Sequence, residues 1–283
     1  MHHDLYQSIT DRIVAAVEAG TPPWVKPWSV SGDLRPMNAA TRRPYRGINN
    51  LLLGLEADLR GYTHSGWLTF RQALAAGGHV RKGEAGTCVI LYKLHEVDTE
   101  RVGEDRKVIP FLRSFTVFNI AQIDGLALTE PPQPVAWDAQ DAAETLLGSA
   151  GATIRHGGRQ AYYERSSDCI QLPDRPAFAE AGDYYATALH ELVHWTGHPS
   201  RCNRDLKHRF GDAGYAMEEL VAELGSAFLC AHCRIDGQLQ HAAYVHAWLP
   251  VLKSDKRAIF TAAAKAQAAA DFVLQPEQIE VAA

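Results

Sequence analysis

The chain has 283 residues, 46% apolar and 22% charged, with a formal net charge of −5. This is long enough for two domains with real cores, and the composition excludes wholesale disorder. No apolar run approaches membrane-spanning length, and the N-terminal stretch lacks a secretory core. Five irregularly spaced cysteines make no disulfide framework, so the expected setting is the reducing cytoplasm.

In chain order, apolar positions Ile9, Ile13, Val14 and Val17 predict a helix over about 5–18, with Gly20 as its stop. A Pro/Trp loop follows (Pro22, Pro23, Trp24, Pro27, Trp28), then helices around 49–60 and 69–76, the second ending at Gly77-Gly78. Segments 86–97 and 107–120, rich in Val, Ile, Tyr, Phe and Thr, read as paired strands. Residues 128–137 carry three prolines and read as a linker. Beyond it come a helix at 138–148, a short sheet over 152–172 with a turn at 166–168, and helices at 183–196, 215–232, 240–249 and 254–270. The expected organisation is α+β: a first domain over 1–127, the linker, and a second domain over 138–283.

The sharpest motif is His190-Glu191-Leu192-Val193-His194. Histidines at i and i+4 share a helix face and can converge on one Zn²⁺, with Glu191 beside them as general base for a bound water. The next ligand is expected from Glu219 on the following predicted helix, with Glu223 holding a ligand imidazole from behind. Spacing alone leaves the reverse assignment of Glu219 and Glu223 open. Zn²⁺ suits two His and one Glu, and Mn²⁺ or Co²⁺ can substitute. The chemistry this predicts is peptide-bond hydrolysis, with Tyr215, His198 or His208 stabilising the oxyanion and a strand within 161–172 pairing with extended substrate. Cys230 and Cys233, without a partner pair, are expected to pack as small apolar residues.

Residues 35–82 hold eight Arg/Lys against Glu56 and Asp58, a local excess of +6 in an acidic protein. Aromatic residues interleave with them: Trp24, Trp28, Arg42, Arg43, Tyr45, Arg46, Asn49, Trp67, Phe70, Arg71, Arg81 and Lys82. Cations on phosphates and aromatic faces under bases are how single strands are held, so this composition suits nucleic acid, although tryptophans are more often core anchors.

Together, PPWVKPW (22–28), TRRPYRGIN (41–49), WLTFRQALAAGGHVRKGEAGT (67–87), HELVHWTGH (190–198) and YAMEELVAELGSAFL (215–229) resemble the ArdC-type antirestriction proteins, over about residues 5–275. That resemblance implies an N-terminal single-stranded-DNA-binding domain joined to a C-terminal zincin-like (gluzincin-type) metallopeptidase domain. It implies carriage by conjugative plasmids and protection of incoming DNA from host restriction. Residue by residue, it implies His190, His194 and Glu219 as ligands, Glu191 as base, and Trp28, Arg43, Tyr45, Arg46, Trp67, Arg81 and Lys82 in the DNA role. Expected partners are single-stranded DNA and a host protein as peptidase substrate, with no membrane. The competing readings are a DNA-binding module whose metal site is structural or vestigial, and a cytoplasmic metallopeptidase targeted by its N-terminal domain.

Overall fold

A computed structural model describes residues 4–19, 35–97, 107–126, 139–178, 180–207, 212–235 and 242–274. The Pro/Trp loop with Trp28, Gly20 and the proline-rich 128–137 segment lie outside them. The chain forms two compact units: Pro36–Glu130, and Met1–Arg35 together with Pro131–Ala283. Mixed helices and sheets bear out the α+β reading.

The first helix, α1 (Leu5–Glu18), buries Ile9, Ile13, Val14 and Val17, the apolar positions of the predicted stripe. Asp4 caps it, accepting from the Gln7 backbone N–H. The burial is against late elements, α7 (Ala242–Ser254) and α8 (Ala258–Leu274): Thr10 Oγ1 donates to the Lys256 carbonyl at 2.8 Å, and the Tyr6 and Phe260 rings meet edge to face at 4.7 Å. Ion pairs Glu18–Lys253 and Asp4–Lys256 flank that contact. The expected 1–127 domain therefore gives up its first helix to the other unit. An amphipathic stripe reveals that a helix is buried, not what buries it.

The unit Pro36–Glu130 is built on a five-stranded sheet of order β2-β1-β3-β6-β5. Its members are β1 (Met37–Asn38), β2 (Arg43–Pro44), β3 (Gly66–Thr69), β5 (Thr87–Val97) and β6 (Lys107–Asn119). The long β5–β6 pair is the strand pair that the sequence predicts, whereas two-residue β1 and β2 carry no alternation to detect. Helix α2 (Ile48–Arg60) ends at Gly61, whose φ of 64° suits a glycine, and packs on β5. Asn49 ties the two together: its amide donates to the Ile90 carbonyl (2.8 Å) and accepts from the Ile90 N–H (2.7 Å). The core holds Leu53, Trp67, Val89 and Val117. Helix α3 (Phe70–Ala75) starts on a Thr69–Gln72 capping box, and β4 (His79–Val80) pairs with β7 (Ile123–Asp124).

The larger unit has α4 (Ala139–Ser149) and a sheet of order β8-β10-β9, from β8 (Thr153–His156), β9 (Tyr162–Glu164) and β10 (Cys169–Leu172). Strand β9 is an edge, joined to β10 through a turn in which Asp168 adopts φ 49°. Helices α5 (Ala181–Thr196) and α6 (Ala213–Cys233) pack together, and α8 lies along α6. The alanine-rich tract of α8 is a packing surface as well as good helix sequence: Ala262, Ala263, Ala266, Ala269 and Ala270 are buried, and small side chains let the helices approach. Gly225 does the same between α5 and α6, since a Cβ there would stand 2.7 Å from Val193 Cγ2.

Gly225→Ala is expected to lower stability by about 1–3 kcal/mol through overpacking. Adding Val193→Ala in the same chain should recover part of the loss, as read by denaturant unfolding; independent, additive losses would refute this contact as the cause.

Candidate metal centre

Helix α5 carries the motif at its buried end. Tyr185, Leu189, Leu192 and Val193 face the core, which leaves His190, Glu191 and His194 on the side that meets α6 and a cavity of about 440 Å³. The two Nε2 atoms stand 3.2 Å apart. From α6, Glu219 places Oε2 3.5 Å from His190 Nε2 and Oε1 3.5 Å from His194 Nε2. His190, His194 and Glu219 thus offer one ligand atom each, all within 4.8 Å of one another. This donor set fits a divalent cation: two imidazole nitrogens and a carboxylate aimed at one point, none of them on a loop.

The carboxylates divide by position along α6. Glu219 meets both Nε2 atoms, whereas Glu223, one turn on, reaches His190 from behind, with Oε1 4.0 Å from Nδ1. Glu218 does this more closely for His194, with Oε1 3.2 Å from Nδ1. Sequence reasoning assigned Glu218 no part, because i, i+4 spacing singled out the other two. It missed Arg204 entirely, a buried residue of an irregular segment where no periodicity marks an inward position.

Glu191 lines the cavity beside the two histidines. Tyr215, one helical turn before Glu219, lines it too, while His198 is turned to Ser200 (2.8 Å) and His208 lies outside the described residues. The opposite wall includes Tyr162 and Tyr163 of β9, so the sheet edge borders the motif. Asp168 anchors that edge: it accepts from Tyr163 Oη (2.7 Å) and from both terminal nitrogens of Arg201, whose guanidinium lies 3.8 Å over the Trp195 ring at the end of α5. Burial, then the bond to Asp168, pushes the Tyr163 phenol up to about 12. Cys230 and Cys233 are buried, as a packing role requires.

The electrostatics are those of buried, mutually compensating charge. Burial disfavours the imidazolium of His194, yet hydrogen bonds to Glu218 and Glu219 outweigh it and hold its pKa up to about 10. His190 is raised in the same way, against its own burial, by Glu219. Burial works against the Glu219 carboxylate, but its two histidine partners hold its pKa well below the usual range.

In the unit Pro36–Glu130 the expected nucleic-acid residues do not form one set. Trp67 has no exposed surface and sits edge to face with Tyr62, a core residue that offers no face to a base. Arg81 is occupied, donating to Glu84 (2.8 Å) and the Ala121 carbonyl (2.7 Å), with Asp124 at 3.4 Å. Tyr45 is half-buried against the core, its hydroxyl accepting from Asn38 at 3.5 Å. Arg43, Arg46 and Lys82 are exposed. Arg42, Arg71 and Phe70 are exposed too, Phe70 by 51%. Segments 36–55 and 61–83 contain no acidic residue, and none of Arg42, Arg43 and Arg71 is in an ion pair among the described residues. Asn38 joins their supports: its side chain donates to Gln72 of α3 at 3.1 Å, accepts from the Thr41 N–H in the turn, and its backbone pairs with Arg43.

Fold and site define a two-unit α+β protein with a zincin-like metallopeptidase domain. Residues 141–265 match the zincin-like metallopeptidase family MPTase-PolyVal, and residues 3–118 match the N-terminal domain of the anti-restriction factor ArdC. The metal-free crystal structure of the antirestriction ArdC protein from the R388 plasmid is 43% identical, with a TM-score of 0.80, covering 96% of this chain and 97% of that one. The Mn(II)-bound structure of that protein is 42% identical at the same TM-score, covering 98% and 99%. An uncharacterized protein, y4eC of Sinorhizobium fredii, is 43% identical over 95% of this chain and 91% of its own. A DNA primase TraC of Escherichia coli is 42% identical over 98% of this chain, which spans 27% of that protein. The chain belongs to the ArdC family of antirestriction proteins. Among the described residues, no helix is long and apolar enough to cross a membrane.

At pH 7.5 the ion-free chain is expected to hold a proton on His194, because its pKa stands near 10. A cation taking Nε2 must displace it, so binding should release about one proton or more, with affinity rising toward pH 10 and falling as pH drops. Calorimetric titration in two buffers of different ionisation enthalpy measures the release. Equal enthalpies in both would place the ion elsewhere.

Proposed function

We propose that this chain is an antirestriction protein of a mobile element, acting in the cytoplasm, that engages single-stranded DNA and carries a metal-dependent peptidase centre. The observation that carries the peptidase reading is the convergence of His190, His194 and Glu219 on one point beside Glu191, at the wall of an open cavity. A structural site would be closed on all sides, whereas a catalytic one keeps an open position for water and substrate.

His190, His194 and Glu219 would hold the ion, with Zn²⁺ expected and Mn²⁺ or Co²⁺ able to replace it. When bound, the ion supplies Lewis acidity toward a substrate carbonyl and a water. The Glu191 carboxylate takes the proton from the attacking water and returns it to the departing amine. Tyr215 faces the same cavity and donates to the developing oxyanion. Strand β9 is the edge of its sheet among the described residues and lines the cavity wall, where an extended polypeptide adds as a further strand. The substrate of this reading is an extended segment of a host protein.

Support for the DNA reading comes from the two acid-free segments and the exposed Arg42, Arg43, Arg46, Arg71 and Lys82 with Phe70 among them. Arginines neutralise phosphates and an exposed aromatic ring takes a base without regard to sequence. Phe70 replaces Trp67 as the stacking face.

Glu191→Gln is expected to keep the ion and lose polypeptide cleavage by a factor of about 100 or more. The same variant tested in cells receiving restrictable DNA separates the functions, since undiminished protection would show that protection does not run through proteolysis. For the other unit, anisotropy with the full chain should show preference for single strands, weakening linearly with salt on a logarithmic plot. Replacing Arg42, Arg43 and Arg71 by alanine should flatten that slope by about 2, at about 0.7 per phosphate contact. Phe70→Ala should weaken binding by about 1–3 kcal/mol with the slope unchanged. Equal affinity for duplex, or an unaltered slope in the triple variant, would overturn this assignment.

A further inference from the structure

We infer that Arg204 is a positioning residue for the metal centre, acting through Glu218 on His194. Arg204 sits in the irregular segment after α5, yet it is only 7% exposed, and every described partner of its guanidinium belongs to the helices that carry the centre. Nε donates to Glu218 Oε2 at 3.0 Å and Nη2 to Glu218 Oε1 at 2.8 Å, a forked grip on one carboxylate. Nη2 also donates to the Val193 carbonyl at 2.6 Å, and Nη1 to Thr196 Oγ1 at 2.8 Å. The cation thus lies on the last turn of α5, where helix carbonyls lack intrahelical donors and a positive charge is favoured.

The backbone is committed as well. The Arg204 N–H donates to the Gly197 carbonyl at 3.0 Å, and a Cβ on Gly197 would stand 3.0 Å from Arg204 Nη2 and 2.9 Å from Leu206 Cδ2. The glycine that ends the motif helix is therefore also the space the guanidinium occupies.

The consequence falls on one imidazole. Arg204 fixes Glu218 in place as an acceptor and Glu218 accepts from His194 Nδ1, so that when the ring gives up a proton to a cation it keeps the one on Nδ1 and frees Nε2, the nitrogen facing Glu219 and His190. Behind His190 the carboxylate is that of Glu223, with Oε1 4.0 Å from Nδ1. Lysine cannot reproduce the arrangement, because a point charge does not serve a carboxylate, a carbonyl and a hydroxyl in one plane.

This inference rests on the metal-centre reading, and the test keeps the two apart. The full chain, freed of metal, is titrated with Zn²⁺ against a chromophoric chelator at pH 7.5, as wild type and as Arg204→Met, Arg204→Lys, Glu218→Gln and the Arg204→Met/Glu218→Gln pair. Ile13→Ala, in the α1 core remote from the motif, controls for lost stability alone. The expected result is affinity weakened by about 10- to 100-fold in Arg204→Met and in Glu218→Gln. The pair should be no weaker than the worse single variant, lysine should restore little, and Ile13→Ala should leave affinity unchanged. No Zn²⁺ binding by the wild type would overturn the metal reading itself. Wild-type affinity in Arg204→Met, or losses that add in the pair, would overturn the role of Arg204 while leaving the centre intact. If Arg204→Met does not fold, Glu218→Gln and Arg204→Lys carry the same decision.

Discussion

The centre depends on how closely α5 and α6 approach. Gly225 lets Val193 seat against α6, and that contact sets the distance across which Glu219 meets His190 and His194. Helices separated by one more methyl group would leave two imidazoles and three carboxylates buried and out of reach of one another. Buried charge survives in a protein interior only when paired, and breaking such a pair costs several kcal/mol. The same close seam therefore makes the site geometrically possible and energetically tolerable. The alanine face of α8 along α6 supports the seam from outside.

Polar groups at this seam are arranged in pairs that pass orientation from one to the next. Each imidazole has a carboxylate behind it and shares Glu219 in front, and the segment after α5 contributes two arginines with different tasks. Arg201 grips the turn that holds the β9 edge, while Arg204 reaches back to the helix end. An eleven-residue stretch without regular structure, Gly197–Lys207, thereby touches both the cavity wall and the motif. Irregular segments can do this because their side chains are not bound to one face, as those of a helix or strand are.

The other unit shows how the same residue types divide between core and surface. Trp67, Asn49 and Arg81 looked like ligand-binding residues in the sequence; one is the largest core side chain, one stitches α2 to β5, and one is an internal ion-pair partner. Phe70, interleaved with the same basic residues in the sequence, is half-exposed and adjoins Arg71, which has no acidic partner among the described residues. Composition located an excess of basic residues, but local pattern could not say which aromatic stayed outside. Burial depends on elements far apart in sequence, as when Leu53 of α2 closes one cluster with Trp67, Val89 and Val117 of three strands.

What the sequence by itself determined is whatever has a short period or a short motif. The helices and the long β5–β6 pair follow from spacing of 3.6 and 2 residues, and His190, Glu191 and His194 from the geometry of a single helix turn. The family resemblance likewise rested on local runs. Only the tertiary structure decided that Glu219 meets both imidazoles, that Glu218 and Arg204 stand behind His194, that α1 belongs with the later helices, and that Trp67 is core. Each of these is a contact between elements remote in the chain, set by packing shape and by the pairing of buried charge, and neither leaves a periodic trace in the residues that make it.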